Sequence, residues 1–351
     1  MNELRDMLMS KFDYYNAIYH QSSTEGYWSN FSQKDQETLF LSLETKSTKE
    51  AIEENFSQYY NMIFDQTRAV GLQLLEIQKN EIGIDYGCMW GNLMLVAARQ
   101  CKAMLGVDQT IDSLKFLKKR IEEEKINNCY LLNANLRNGL NIEGVFDFSI
   151  VNGVLEWIPQ QEAVDLKDHF KKKRIKFVTP ETNPRLEQLA FLKNVNKTLK
   201  SNGRLYLAIE NRYDYKHFLW KRDPHSNLYF TTILPRFFAN IISNIWYGRP
   251  YVNYIYSIKE LKKLLSEAGF DRYKFSVAFP DYHFPLKIIP AEKKYFDHFK
   301  TVFYWKKRTD LWAKIVFKII KIMDFIIFKK LKIFSLAPAF IIIAYKKNSN
   351  S

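Results

Sequence analysis

The stretch "GIDYGCMWGN", residues 83–92, decides how the rest of the chain is read. An apolar run ends in a carboxylate, Asp85, and two glycines follow, Gly87 and Gly91, with Met89 between them. One glycine serves a structural turn. Two within five residues suit a loop that a ligand approaches closely or whose φ must be positive. A strand turning through such a loop into a helix ("NLMLVAARQC") presents free N–H groups backed by the helix dipole, a place for a carboxylate or phosphate. Many sheet-to-helix corners carry glycine for packing alone, so the next acid matters. Asp108 closes the following apolar run, "AMLGVD" (103–108), twenty-three residues after Asp85. In doubly wound sheets an acid there accepts hydrogen bonds from ribose hydroxyls, and ligands lie outside the carboxyl ends of the strands. The loop and its two acids read as a nucleoside-ligand site.

Outward from this unit, short apolar runs alternate with helical patterns. Ile82–Asp85, 103–108, "CYLLNA" (129–134), "FDFSIVNG" (146–153), "RLYLAIE" (204–210), "YKFSVAF" (273–279) and "PAFIIIAY" (338–345) read as strands. "SLKFLKKRIEEEK" reads as an amphipathic helix between the second and third strands. A further helix runs from about Pro184 to Lys200, with Thr182 or Asn183 as its cap and proline in its first turn. "SIKELKKLLSEAGF" (257–270) is another, ended by glycine. This rhythm predicts an α/β fold: a doubly wound, mostly parallel sheet of seven strands covered on both faces. The expected organisation is a helical N-terminal extension (1–70), with helical spacing from about Ile52 to Ile77, then a core (71–280) and a C-terminal helical segment with the final strand (281–351).

Two segments break the rhythm. Residues 212–256 hold thirteen aromatic residues, nearly twice the chain's average density, and are expected to form a lid over an acceptor site. Residues 311–334 are apolar nearly all round except at Lys314, Lys318, Lys321 and Asp324. They carry charge too often to span a bilayer. Burial against the last strand is the expectation, with a position in the headgroup region as the alternative. A charged insertion contains "KKKR" at 171–174.

The motifs "IGIDYGCMWGN", "GVDQT", "FDFSIVNGVLEWI" and "LKSNGRLYLAIENRY", in this order, resemble the Rossmann-like S-adenosylmethionine-dependent methyltransferases over about residues 75–280. "DPH", "LPR", "GRPY", "PDYHFP" and "LAPAFIIIAYKK" resemble a bacterial subgroup associated with surface-polysaccharide biosynthesis. The resemblance implies S-adenosyl-L-methionine as cofactor. It assigns Asp85, Gly87 and Gly91 to the loop at the methionine end and Asp108 to the ribose. Asn135 falls where the family often has an aspartate facing the adenine, and an amide oxygen still accepts that bond. Asn152 would line the pocket near the sulfonium. Met89 stands where the loop's central glycine is usual, which alters the backbone's approach and bears on cofactor affinity.

Methyl transfer to a hydroxyl needs a base. Glu156 and His225 are the catalytic candidates, histidine having the more suitable ordinary pKa. Glu210, Arg212 and Asp223 are candidates for substrate contact. Each has a plainer reading: a turn-capping carboxylate, a hydrogen-bonded loop histidine, a Glu210–Arg212 salt bridge. The other histidines, His20, His169, His217, His283 and His298, show no metal-ligand spacing.

The 351 residues are 47% apolar, enough for a large core, and carry a formal net charge of +14. That charge favours anionic partners: phosphorylated substrates, an acidic membrane surface touched peripherally, or nucleic acid. Methyltransferases of exocyclic base amines commonly share an Asn-Pro-Pro-aromatic loop where this chain has "NGVLE", so a nucleic-acid substrate is the lesser reading. The expected activity is methylation, on oxygen, of a sugar, a glycan precursor (lipid-linked or free) or a related small molecule. The alternative outside enzymes is a non-catalytic scaffold of the same fold in glycan assembly. Three dispersed cysteines and an N-terminus without an apolar leader point to the cytoplasm.

Overall fold

The apolar runs around the glycine loop are all strands in the computed structural model, which describes residues 2–21, 33–159, 180, 182–297, 299–300 and 311–348. The chain begins with α1 (Asn2–Lys11), β1 (Asp13–Tyr15), β2 (Ile18–His20), α2 (Gln33–Thr45), α3 (Thr48–Phe56) and α4 (Tyr60–Phe64). Next come β3 (Ile82–Tyr86), α5 (Asn92–Ala98), β4 (Ala103–Asp108), α6 (Ile111–Glu123), β5 (Cys129–Asn133) and β6 (Phe146–Asn152). After α7 (Pro184–Thr198) and β7 (Leu199–Glu210) lie α8 (Tyr215–Phe218), α9 (Arg236–Tyr247) and α10 (Ile258–Glu267). The last elements are β8 (Phe270–Phe279), β9 (Lys287–Pro290), α11 (Leu311–Asp324), a π-helical turn (Phe325–Lys330) and β10 (Ala339–Lys346). The "KKKR" insertion, His169 and His298 lie outside the described residues.

One sheet runs β1-β2-β5-β4-β3-β6-β7-β10-β8-β9. The six strands from β2 to β7 pair in parallel, while β1 and the β10-β8-β9 end are antiparallel. The sheet therefore has ten strands, not seven. β1 and β2 come from the N-terminal segment, where only helices are expected, and β2 adds to the edge at β5. These strands are three residues each, too short for a period-two pattern to register.

Alternation explains the core. Along β10, Phe340, Ile342 and Ala344 enter one apolar cluster, and Ala339, Ile341 and Ile343 enter another on the opposite face. Both faces are covered, so the run is apolar at every position. Full burial of each such large side chain contributes roughly 1.5–3 kcal/mol. α7 starts as expected: Pro184 follows Asn183, whose side chain accepts from the Arg185 N–H.

The helical spacing read from about Ile52 to Ile77 does not give one helix: α3 ends at Phe56 and the chain re-enters α-helix at Tyr60. α4 ends at Phe64, and the Asp65 side chain caps a new turn by accepting from Thr67 N–H at 2.9 Å. Asn92 at the start of α5 donates to the carbonyls of Ile63 and Asp65, both at 3.0 Å, and pins that break against the glycine loop. Residues 311–334 also differ from expectation. Ile315, Val316, Ile319, Ile322, Phe325 and Ile326 are exposed, and among the residues whose burial is described there only Asp324, Ile327 and Phe328 are buried. No helix among the described residues is long and apolar enough to cross a membrane.

Candidate active site

The sheet order reverses at β3, with β4 and β5 to one side and β6 and β7 to the other. Loops leaving the carboxyl ends of the strands diverge at such a point and open a crevice. Here it contains a cavity of about 470 Å³ whose wall includes Asp85, Gly87, Met89, Asp108, Asn152 and Glu210.

The glycine loop needs its glycines for shape. Gly87 has φ +69°, and a Cβ there would lie 2.6 Å from Val154 Cγ2. Gly91 has φ +78°, and a Cβ would lie 2.2 Å from Leu117 Cδ1; it serves packing and is not on the cavity wall. Met89 also takes a positive φ, 47°, and packs beside the small cluster of Trp90, Phe116, Ile52 and Phe56. The thioether thus ties the loop to the N-terminal helices. The loop amides, expected to be free for an anion, are committed internally. Gly87 and Cys88 donate to Val107 O at 2.8 and 3.1 Å, Met89 to Asp108 Oδ2 at 2.9 Å, and Gly91 to Cys88 O at 2.8 Å. The loop folds back on β4, and that closeness consumes its donors.

Asp108 holds this arrangement. Its Oδ1 accepts from Thr110 N–H at 2.8 Å and its Oδ2 from Met89 N–H, and the Thr110 side chain bonds the same carboxylate, which leaves it part of its acceptor capacity for a ligand hydroxyl. Burial raises its pKa, and the bonds from the two amides and the Thr110 side chain offset only part of that. Asp85, 4% exposed, is pushed well above the carboxylate range by burial and then by the Asp108 charge, against the pull of Arg68. Arg68, on the cavity wall, has its pKa lowered by burial, and its Nη1 has no hydrogen-bond partner. Asn152 likewise has neither amide atom paired. Asn135 is not on the wall: its Oδ1 accepts from Arg137 N–H and caps the next turn, so Leu136 and Arg137 face the cavity instead.

At another part of the wall three acids converge on His225. Asp223 Oδ1 accepts from His225 N–H at 2.9 Å and lies 3.2 Å from Nδ1, while its Oδ2 accepts from Ser226 and Thr231 hydroxyls. Nε2 lies 3.7 Å from Glu156 Oε1 and 3.8 Å from Glu210 Oε2. Tyr282 donates to Glu156 Oε1 at 3.3 Å. Burial favours neutral imidazole, but Glu210, Asp223 and Glu156 outweigh it and hold His225 protonated well above its ordinary range. Burial raises Glu210 although His225 opposes it. The ligand atoms of Glu156, Glu210 and His225 lie within 4.8 Å of one another, so this set can also receive a divalent cation. The imidazolium already sets positive charge between the carboxylates.

Of the residues singled out from sequence, Asp85, Gly87, Asp108, Asn152, Glu210 and His225 meet at the cavity. Glu156 and Asp223 are buried behind the wall and act on His225. Arg212 is elsewhere. Its guanidinium donates to Thr232 O, Leu234 O and Glu260, holding the insertion rather than a substrate, and it pairs with Glu260 instead of Glu210. The aromatic insertion contributes only Pro224 and His225 to the wall, so the expected aromatic lid is not what lines the cavity. Sequence reasoning missed Arg68, Trp157, Tyr282 and His283, all on the wall. "PDYHFP" flagged the last two without a role; Arg68 carries no motif.

A family model described as "Methyltransferase domain" matches residues 77–269. The protein named "Probable cobalt-precorrin-6B C(15)-methyltransferase (decarboxylating)" of Methanocaldococcus jannaschii is 23% identical over 77 residues, 22% of this chain and 42% of that one. The match thus spans under half the length of that relative. Among solved structures, a phosphoethanolamine N-methyltransferase 2 of Haemonchus contortus, bound to S-adenosylhomocysteine, is 13% identical. It has a TM-score of 0.44, covering 89% of this chain and 60% of that one. A SAM-dependent methyltransferase of Methanosarcina mazei is 14% identical with a TM-score of 0.41, covering 79% and 98%. At those values the likenesses assign no substrate. The family match covers more than half of the chain, which therefore belongs to the methyltransferase-domain family.

Proposed function

We propose that this chain is an S-adenosylmethionine-dependent methyltransferase that acts on a hydroxyl of a polyhydroxylated acceptor, a sugar or glycan precursor. One observation carries the reading: Glu210 places a buried carboxylate on the cavity wall, and its Oε2 has no hydrogen-bond partner. Burial raises its proton affinity above that of an exposed carboxylate, which suits a general base near neutral pH. Asn152 adds an unpaired donor and an unpaired acceptor. Such a set complements hydroxyls, each of which both donates and accepts.

The residues fit the cofactor. Asp108 retains acceptor capacity for a ribose hydroxyl, and the orphaned Arg68 Nη1 is available to a carboxylate. When bound, S-adenosylmethionine supplies an already electrophilic methyl group. The protein's part is to orient the acceptor and take its proton. Asp223 fixes the His225 ring through Nδ1, so Nε2 faces Glu156 and Glu210. The proton released by the hydroxyl passes to Glu210 and is stabilised within this cluster.

The test is S-adenosylhomocysteine release against a panel of sugars and sugar nucleotides, with the methylated atom identified by NMR. Glu210→Gln should lower kcat by about 10²–10⁴-fold while donor affinity stays within about threefold, under half of a tenfold step of 1.4 kcal/mol. Methylation of an amine or of RNA in place of a hydroxyl, or an unchanged kcat in the variant, would refute the reading.

A further inference from the structure

Three elements leaving the carboxyl edge of the sheet hold large apolar side chains in solvent. α11 and its π-helical turn expose Ile319, Ile322 and Phe325 among others. The end of α8 exposes Phe218 and Trp220, the latter at 69%. α9 exposes Phe237 at 67% and Trp246 at 59%.

All three are fastened to the short stretch that follows β7. Asn211 Nδ2 donates to Ser335 O and Ala337 O at 2.8 and 2.7 Å, fixing the chain between the π-helical turn and β10. Arg212 donates to Thr232 O and Leu234 O just before α9. Tyr215 in α8 donates to Asp324 at the end of α11 at 2.7 Å, and its ring meets Phe328. β7 ends in Glu210 on the cavity wall, so the apolar elements and the cavity share one edge of the molecule.

The exposed charge along α11 and the π-helical turn has one sign. Lys314, Lys318, Lys321, Lys329 and Lys330 are exposed, whereas Asp324, the single acid between 314 and 334, is buried against Tyr215. Protein–protein interface cores are depleted in lysine. Helices that lie in a membrane interface interleave lysine with isoleucine and phenylalanine, the long stems reaching up to the headgroups. α11 and the π-helical turn have that composition, with lysines too frequent for a bilayer span.

We propose that this edge docks on an anionic lipid surface, with α11 lying in the headgroup plane and the α8 and α9 aromatics inserted beside it. The docked protein presents its cavity to an acceptor carried by the membrane. That last step rests on the hydroxyl-acceptor reading; the docking does not.

The test uses the full chain and no methyl acceptor. Co-flotation with vesicles of phosphatidylcholine alone is compared with vesicles containing phosphatidylglycerol at about three parts in ten, at low and high salt. Expected is binding to the anionic vesicles only, weakened by salt. Ile319→Glu with Ile322→Glu, and separately Lys318→Glu with Lys321→Glu, should each lower the partition coefficient at least tenfold while S-adenosylmethionine binding reports an intact fold. In wild type, lipids brominated on their acyl chains should quench tryptophan fluorescence. Absence of anionic-vesicle binding, or equal binding by both variants, overturns the proposal. So does a wild-type dimer in sedimentation equilibrium that the isoleucine variant dissociates, since a second copy would then cover this face.

Discussion

Asp108→Ala removes two things at once: the carboxylate proposed to meet the ribose and the acceptor that closes the glycine loop. The lost ligand contact is a hydrogen bond to a charged group, worth about 1.5–3 kcal/mol. At 1.4 kcal/mol per tenfold, donor affinity should fall about 10- to 150-fold. The second effect falls on the fold, because the N–H groups of Met89 and Thr110 lose their partners at 2.9 and 2.8 Å. A dry orphan costs about 1–3 kcal/mol, but water from the cavity reaches this site, so about 1–2 kcal/mol in total is expected. That corresponds to a fall in Tm of roughly 1–3 °C for a chain of this size. Asp108→Asn keeps one acceptor oxygen and should lose less affinity than alanine. Isothermal titration with S-adenosylmethionine and S-adenosylhomocysteine reads the first effect, and thermal denaturation the second. A lowered Tm with donor Kd unchanged within about threefold, under half of a tenfold step, would show that the loop feels Asp108 but the ribose does not. The assignment would then be wrong.

Gly91→Ala sets a Cβ 2.2 Å from buried Leu117 Cδ1 at φ +78°, and left-handed strain plus overpacking should cost about 2–5 kcal/mol in chemical denaturation. A loss below about 1 kcal/mol would contradict the packing role. Arg68→Met should weaken S-adenosylmethionine more than adenosine in competition titrations, because adenosine lacks the carboxylate; equal weakening would remove Arg68 from that end. Asp223→Asn tests the acid–histidine cluster through pH. His225 is raised above its ordinary 6.5, so its stabilisation is fully present below about that pH and fades as pH climbs through the higher folded value. Asp223 is depressed below its ordinary 3.8, against burial, chiefly by its bonds to His225. Its contribution is present above that pH and is lost only as pH falls through the lower folded value. The Tm gap between variant and wild type should be widest near about pH 6 and narrow in alkali. A gap independent of pH from about 5 to 10 would refute the coupling.

The amino-acid pattern alone determined the seven main strands, the helices α6, α7 and α10, and the pairing of Asp85 with Asp108 across the glycine loop. These are local signals: period-two alternation, helical spacing, caps such as Asn183, and a strand end that places an acid. Other features depended on contacts distant in sequence. The Ile52–Ile77 stretch has helical periodicity throughout, yet Asn92 and the Asp65 cap break it. Asp85, Asp108 and Glu210 could be ranked from their strand ends, but only folding put Glu156, Glu210 and Asp223 around one imidazole. Arg68 reached the cavity from a segment without a motif, and Arg212 was drawn away to the carbonyls of the insertion. Residues 311–334 show the physical limit most plainly. Periodicity tells which side chains share a helix face, but not what covers that face, and here only the tertiary structure left most of its isoleucines and lysines turned to solvent.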